Sequence, residues 1–136
     1  MDKKALISKA LEAKKRAYVP YSKFQVGCAL ITEDDEVFTG CNIEISSYSP
    51  TICAERTAIF KAVSEGHRSI KTIAVVGDSN HTFPCGVCRQ VIREFGKNAT
   101  IIIANSSDDY EEYTLDELLP HSFGPEDLES KENKDV

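Results

Sequence analysis

The sequence predicts an α/β domain in which helices cover the faces of a mixed β-sheet. Three observations carry that expectation. Apolar residues recur at helical spacing in separate segments, β-branched runs at 70–78 and 99–105 flank one of those segments, and only Asn105 to Asp109 separate the second run from the next strand candidate. Two strands joined through a helix are parallel neighbours. A five-residue link is too short for a parallel crossover, so the last strand is expected to be antiparallel.

The elements follow in order. Residues 3 to 17 place Leu6, Ile7, Ala10, Leu11, Lys14 and Ala17 on one helical face, with lysines opposite and Pro20 as the stop. The apolar run FQVGCALI, the acidic turn EDDE and the extended VFTGCNIEI predict a β-hairpin. After Pro50, CAERTAIFKAVSEG repeats alanine and aliphatic positions at i, i+4 and closes on Gly66, which predicts a helix. IKTIAVVGD is expected to be a buried strand, CGVCRQVIREFG a short helix ending at Gly96, and ATIIIAN a second strand. YEEYTL supplies the fifth strand, and TLDELLP a short helix with Thr114 as cap and Glu117 three residues on.

At 136 residues, with 41% hydrophobic and 28% charged, the chain is sized and composed as one globular unit. The domain is expected to span residues 1–136, with the charged stretch from about 129 to 136 frayed. Sixteen basic against 22 acidic residues give net charge −6, which repels a phosphate backbone and argues against a nucleic-acid partner. No apolar run reaches signal-peptide length or the roughly 18 residues of a membrane span, so no membrane partner and a cytoplasmic location are expected. Five cysteines is an odd number, better suited to reduced thiols or metal ligands than to a disulfide framework.

The chemistry concentrates in Cys53-Ala54-Glu55 and Pro84-Cys85-Gly86-Val87-Cys88, each at a loop-to-helix transition. A catalytic zinc takes three protein ligands and leaves a fourth position to water, and a nearby unliganded carboxyl completes such a centre. Cys53, Cys85, Cys88 and Glu55 have that composition. Helix N-termini suit thiolates because their exposed N–H groups and positive dipole end stabilise the charge. Three thiolates on a divalent ion leave net −1, and Arg56 and Arg89, each next to a motif residue, are the candidates to offset it. Cys85-x-x-Cys88 by itself is more often a structural zinc knuckle or a redox dithiol than a catalytic pair; Cys53-x-Glu55 turns the balance toward a zinc deaminase.

The motifs PYSKFQVG (20 to 27), GCNIE (40 to 44), CAERTAIFKAVSEG (53 to 66), PCGVCRQV (84 to 91), ELLP (117 to 120) and SFGPEDL (122 to 128) occur in this order. In them the chain resembles the small homotetrameric zinc-dependent cytidine deaminases over nearly its whole length. The resemblance implies a three-layer α/β/α cytidine-deaminase-like fold with a mixed five-stranded sheet and an antiparallel last strand. It implies one Zn²⁺ per chain on Cys53, Cys85 and Cys88, with Glu55 carrying protons. Cytidine or deoxycytidine would give uridine or deoxyuridine and ammonia, as in pyrimidine salvage.

The same resemblance places Asn42 and Glu44 on the ribose. They lie two apart on an extended segment, so their side chains share a face, although taken alone such a pair is more often a solvated strand end. Phe24 flanks the base by this resemblance, and Phe123 reaches the site of a neighbouring subunit. Tyr21 and Tyr48 are pocket or interface candidates, and the backbone of Ala54 and Cys85 reads the pyrimidine edge. The expected partners are a small nucleoside and three further copies of the chain, with sites shared between subunits. Ile45, Ser46 and Ser47 depart from the family pattern after Asn-Ile-Glu, and Cys28 replaces a usual alanine. Cys28 and Cys41 are expected to be buried apolar thiols.

Relatives with this zinc site act on RNA or DNA bases, deoxycytidylate or an antibiotic nucleoside. The acidic charge, the lack of a basic strip and the short link before Tyr110 favour a free nucleoside. A noncatalytic zinc module would need a fourth protein ligand and no Glu55.

Overall fold

The computed structural model describes residues 1–134. In chain order the elements are α1 (Lys3–Lys14), β1 (Val26–Thr32), β2 (Val37–Cys41), α2 (Ala54–Ser64), β3 (Ile70–Gly77), α3 (Gly86–Phe95), β4 (Thr100–Ser106), β5 (Asp109–Thr114), α4 (Leu115–Leu118) and α5 (Pro125–Lys134). The strands form one five-stranded sheet in the order β2-β1-β3-β4-β5. β3 and β4 are parallel, whereas β1–β2, β1–β3 and β4–β5 are antiparallel. The mixed sheet with its antiparallel last strand is therefore as expected.

Strand alternation divides the core in two. Leu6, Ile7 and Ala10 of α1 pack on Ala29, Ile31, Ala74, Val76, Ile102 and Ala104. The opposite residues, Cys28, Leu30, Ile73, Val75, Ile101 and Ile103, pack under Ala58, Ile59 and Ala62 of α2 and Ile92 of α3. Successive residues of one strand thus serve opposite faces, which is the physical basis of the three layers.

Local chemistry sets several boundaries. Asp2 caps α1 by accepting from the Ala5 N–H at 2.7 Å. α1 stops at Lys14, short of residue 17, because the chain turns to pair with a neighbour: the Tyr18 N–H donates to Asn42 O and the Glu44 N–H to Tyr18 O. That pairing brings Tyr21 beside Glu44. Gly66 takes φ +95° just past α2, a backbone state that favours glycine. Thr114 and Glu117 form the expected reciprocal capping box of α4.

Residues 125–134 form α5, which Pro125 opens and which Arg93 of α3 anchors through Glu126 and the Ser122 hydroxyl; residues 135 and 136 of the stretch expected to fray lie outside the described residues. One expectation is corrected. Cys28 is fully buried, but Cys41 is only half-buried at the end of β2.

Candidate active site

The thiols converge at the carboxyl end of β3, where the starts of α2 and α3 meet. Cys53 and Cys85 are the N-cap residues of these helices, both in extended conformation and neither using its sulfur as a cap. Cys88 follows in the first turn of α3 and is fully buried. The Sγ atoms of Cys53 and Cys85 are 3.8 Å apart, and all three sulfurs lie within 4.8 Å of one another. Three sulfurs at 2.3 Å from a tetrahedral zinc would stand about 3.8 Å apart, so the donor set and its spacing fit one zinc ion per chain. Among the described residues no other group of His, Cys, Asp or Glu was found in metal-holding geometry.

Charge is arranged around the sulfurs. Cys53 is drawn down to about 5, first by its hydrogen bond with Cys88, then by Arg56 and Cys85, while Cys88 is pushed up by that same bond and by burial. Arg56 donates from Nη2 to Cys53 Sγ at 3.4 Å. Arg89 is placed differently: its Nε donates to Pro84 O at 2.8 Å and its Nη1 to Leu118 O at 2.7 Å, so it braces the loop before Cys85 against α4.

Glu55 sits in the first turn of α2, only 4% exposed. Burial pushes its carboxyl up to about 7, with the Cys53 charge adding to the rise. A group so poised exchanges protons near neutrality, as an acid-base catalyst must. It lines a cavity of about 140 Å³ with Val26, Asn42, Cys53, Ala54, Thr82, Phe83 and Cys85. A larger concavity, about 570 Å³, lies under α1 by Met1, Lys4 and Tyr110, but it carries no cluster of metal-ligating groups.

The remaining expected residues divide between two places. Asn42 lines the thiol cavity while clamping the strand entry, its Oδ1 accepting from Val26 N–H at 2.9 Å and its Nδ2 donating to Phe24 O at 2.8 Å. Glu44 lies in a neighbouring concavity of about 390 Å³ with Tyr21, Ser22, Tyr48 and Thr51. Its Oε1 accepts from the N–H groups of Tyr21 and Ser22, both at 3.1 Å, and the carboxyl is held below the usual range first by the Ser22 side chain and then by these backbone bonds. Tyr21 and Tyr48 meet edge to face at 6.2 Å. Phe24 is 37% exposed and is not among the residues lining the thiol cavity.

Phe123 lies away from its own chain's cavity, 59% exposed, with its carbonyl held by Gln90 Nε2 at 2.8 Å. Val26, Thr82 and Phe83 of the cavity wall had no assigned role in the sequence. The position of Thr82 and Phe83 directly before Pro84-Cys85 is the signal that could have found them. The histidines take no part in the thiol site: His67 pairs with Asp34 at 2.8 Å, His81 faces Asp109 at 3.6 Å, and His121 is exposed.

Comparison with known proteins agrees with this geometry. The family model described as the cytidine and deoxycytidylate deaminase zinc-binding region matches residues 1–104. A cytidine deaminase of Sporosarcina psychrophila is 53% identical over 130 residues, spanning 94% of this chain and 96% of that protein. One of Halalkalibacterium halodurans is 50% identical, over 94% and 98%. The crystal structure of cytidine deaminase from Burkholderia pseudomallei superposes with TM-score 0.86 at 44% identity, covering 90% of this chain and all of that one. By the zinc-binding match and by relatives that share about half their residues across nearly the full chain, this protein belongs to the zinc-dependent cytidine and deoxycytidylate deaminase family.

Proposed function

We propose that the chain hydrolyses the C4 amino group of cytidine and deoxycytidine, giving uridine or deoxyuridine and ammonia, in the cytoplasmic salvage of pyrimidines. One observation carries this reading: a buried carboxyl poised near neutrality shares a small cavity with the three-thiol centre.

Cys53, Cys85 and Cys88 would hold the zinc, which when bound supplies Lewis acidity that makes a water nucleophilic at neutral pH. Glu55 accepts a proton at its carboxylate and returns protons to ring N3 and to the departing amine, so water and cytidine balance uridine and ammonia. Arg56 offsets the negative charge at Cys53, and Arg89 acts at one remove by fixing Pro84. The backbone of Ala54 and Cys85 reads the pyrimidine edge. Asn42 meets the ribose from inside the cavity, and Glu44, with Oε1 engaged by backbone, offers Oε2 to a hydroxyl.

Phe24 flanks the pyrimidine ring, and Tyr21 and Tyr48 serve as pocket or interface residues. Phe123, held outward on its own chain, closes the site of another subunit in a homotetramer and keeps water from the base. No helix among the described residues is long and apolar enough to cross a membrane. The test is ammonia release from cytidine, deoxycytidine and deoxycytidylate side by side, with zinc quantified per chain. Turnover of both nucleosides at one zinc per chain is expected; turnover of deoxycytidylate alone would refute the substrate assignment.

A further inference from the structure

We propose that Asn105 is a positioning residue for this reaction: a β-bulge turns its amide onto the 78–83 loop, and through that loop it sets the Thr82 and Phe83 wall of the substrate cavity. The inference rests on the deaminase reading given above.

β4 and β5 run in register from Thr100↔Thr114 to Ala104↔Tyr110, and the ladder then slips to Ser106↔Asp109. Asn105 is the residue passed over. Bulges release a side chain from the ladder and re-aim it, and they recur next to active sites. The freed amide is fully used: Oδ1 accepts from the His81 N–H at 2.8 Å, and Nδ2 donates to Asn80 Oδ1 at 2.7 Å and to Asp109 Oδ2 at 2.9 Å. His81 has φ +56°, a left-handed state that a non-glycine residue keeps only when its surroundings hold it there. The Asn105 carbonyl on the His81 N–H is such a hold.

The rest of the loop transmits the clamp. Thr82 packs against Gly77, where a Cβ would come within 2.3 Å of Thr82 Oγ1, and that hydroxyl bonds Ser79 Oγ at 2.6 Å. Thr82 and Phe83 then face the cavity shared with Glu55 and Cys85. The loop runs from the end of β3 to the N-cap of α3, and Asn105 pins its midpoint to the end of β4. Glu55 sits on α2 and Cys53 at its N-cap, outside this clamp, and Cys85 at the end of the loop is braced separately by Arg89 on Pro84 O. Loosening the wall should therefore weaken a contact made equally in ground and transition states, which raises KM and leaves kcat largely intact.

The test is steady-state kinetics on zinc-loaded enzyme carrying Asn105→Ala, and Asn105→Asp as a variant of equal size that keeps the acceptor for His81 but loses both donors. Both should retain one zinc per chain. KM for cytidine should rise about tenfold for Ala and at least as much for Asp, whose second carboxylate oxygen would face Asn80 Oδ1 and the Asp109 carboxylate, with kcat within about threefold of wild type. On top of Phe83→Ala, either should add no more than about twofold, because both changes act on the same wall. An unchanged KM, a loss confined to kcat, or KM increases that multiply in the double variant would overturn the assignment. Amide exchange tests the clamp apart from activity: residues 78–83 should exchange faster in Asn105→Ala while β3 does not, and equal rates count against the clamp. A wild-type enzyme that leaves cytidine intact would refute the reaction and not the clamp.

Discussion

The Thr57 hydroxyl lies 3.1 Å from the carbonyl oxygens of both Cys41 and Cys53, tying the first turn of α2 to the end of β2. The two backbones are also in direct contact, since a Cβ on Gly40 would fall 2.6 Å from Ala54 O and from Ala58 N. Cys53, Glu55 and Asn42 are thereby held in one frame. Because those neighbours are backbone atoms that cannot swing aside, Gly40→Ala should destabilise the fold by about 2 kcal/mol. Thr57→Val, which keeps the shape and loses the donor, should cost about 1 kcal/mol. Thermal unfolding of both variants checks this, and a Gly40→Ala protein as stable as wild type would refute the close approach.

The entry to β1 is fastened by a carboxylate. Asp78 takes Lys14 Nζ at 2.7 Å and the Gln25 N–H at 2.6 Å, and these contacts hold its carboxyl below the ordinary range, the lysine contributing most. A carboxyl with a lowered folded-state pKa contributes stability that is present above its unfolded value and lost as the pH falls through the folded one. The wild type should therefore unfold a few degrees above Asp78→Asn at pH 7, and the gap should close as the pH is taken below about 4. A gap that is constant or widens on acidification would mean that the carboxylate charge is not what stabilises this corner.

Phe123 offers a test of shared sites. If its ring serves another chain, Phe123→Ala and Glu55→Gln damage different contributors to one site. Mixing the two inactive or impaired proteins through unfolding and refolding should then restore activity, because some mixed sites combine an intact Glu55 with an intact Phe123. Activity of the mixture no greater than the sum of the separate proteins would show that each chain's site is self-contained.

The helices and strands that carry the core were legible because their periodicities are strong: the β-branched runs became β3 and β4, and Thr114 with Glu117 marked α4. The thiol centre was legible because a metal fixes residue type and spacing together, and Cys53 and Cys85 do stand at the helix starts. What escaped was set by contacts between distant segments. Nothing near Lys14 says that Tyr18 will pair with Ile43 and end α1 early. Nothing in a charged C-terminal stretch says that Arg93, 5% exposed, will anchor Glu126. Asn105 read as the end of a strand, since a bulge leaves no periodic trace, and Thr82 and Phe83 lie in a loop with no periodicity to read.

The most direct test of the central claim is the Glu55→Gln variant, which keeps the side-chain shape and removes the proton carrier. It should bind one zinc per chain, fold as the wild type does, and release ammonia from cytidine about 100-fold more slowly or less still. Ammonia release at the wild-type rate, with zinc in place, would contradict the assignment of proton transfer to Glu55.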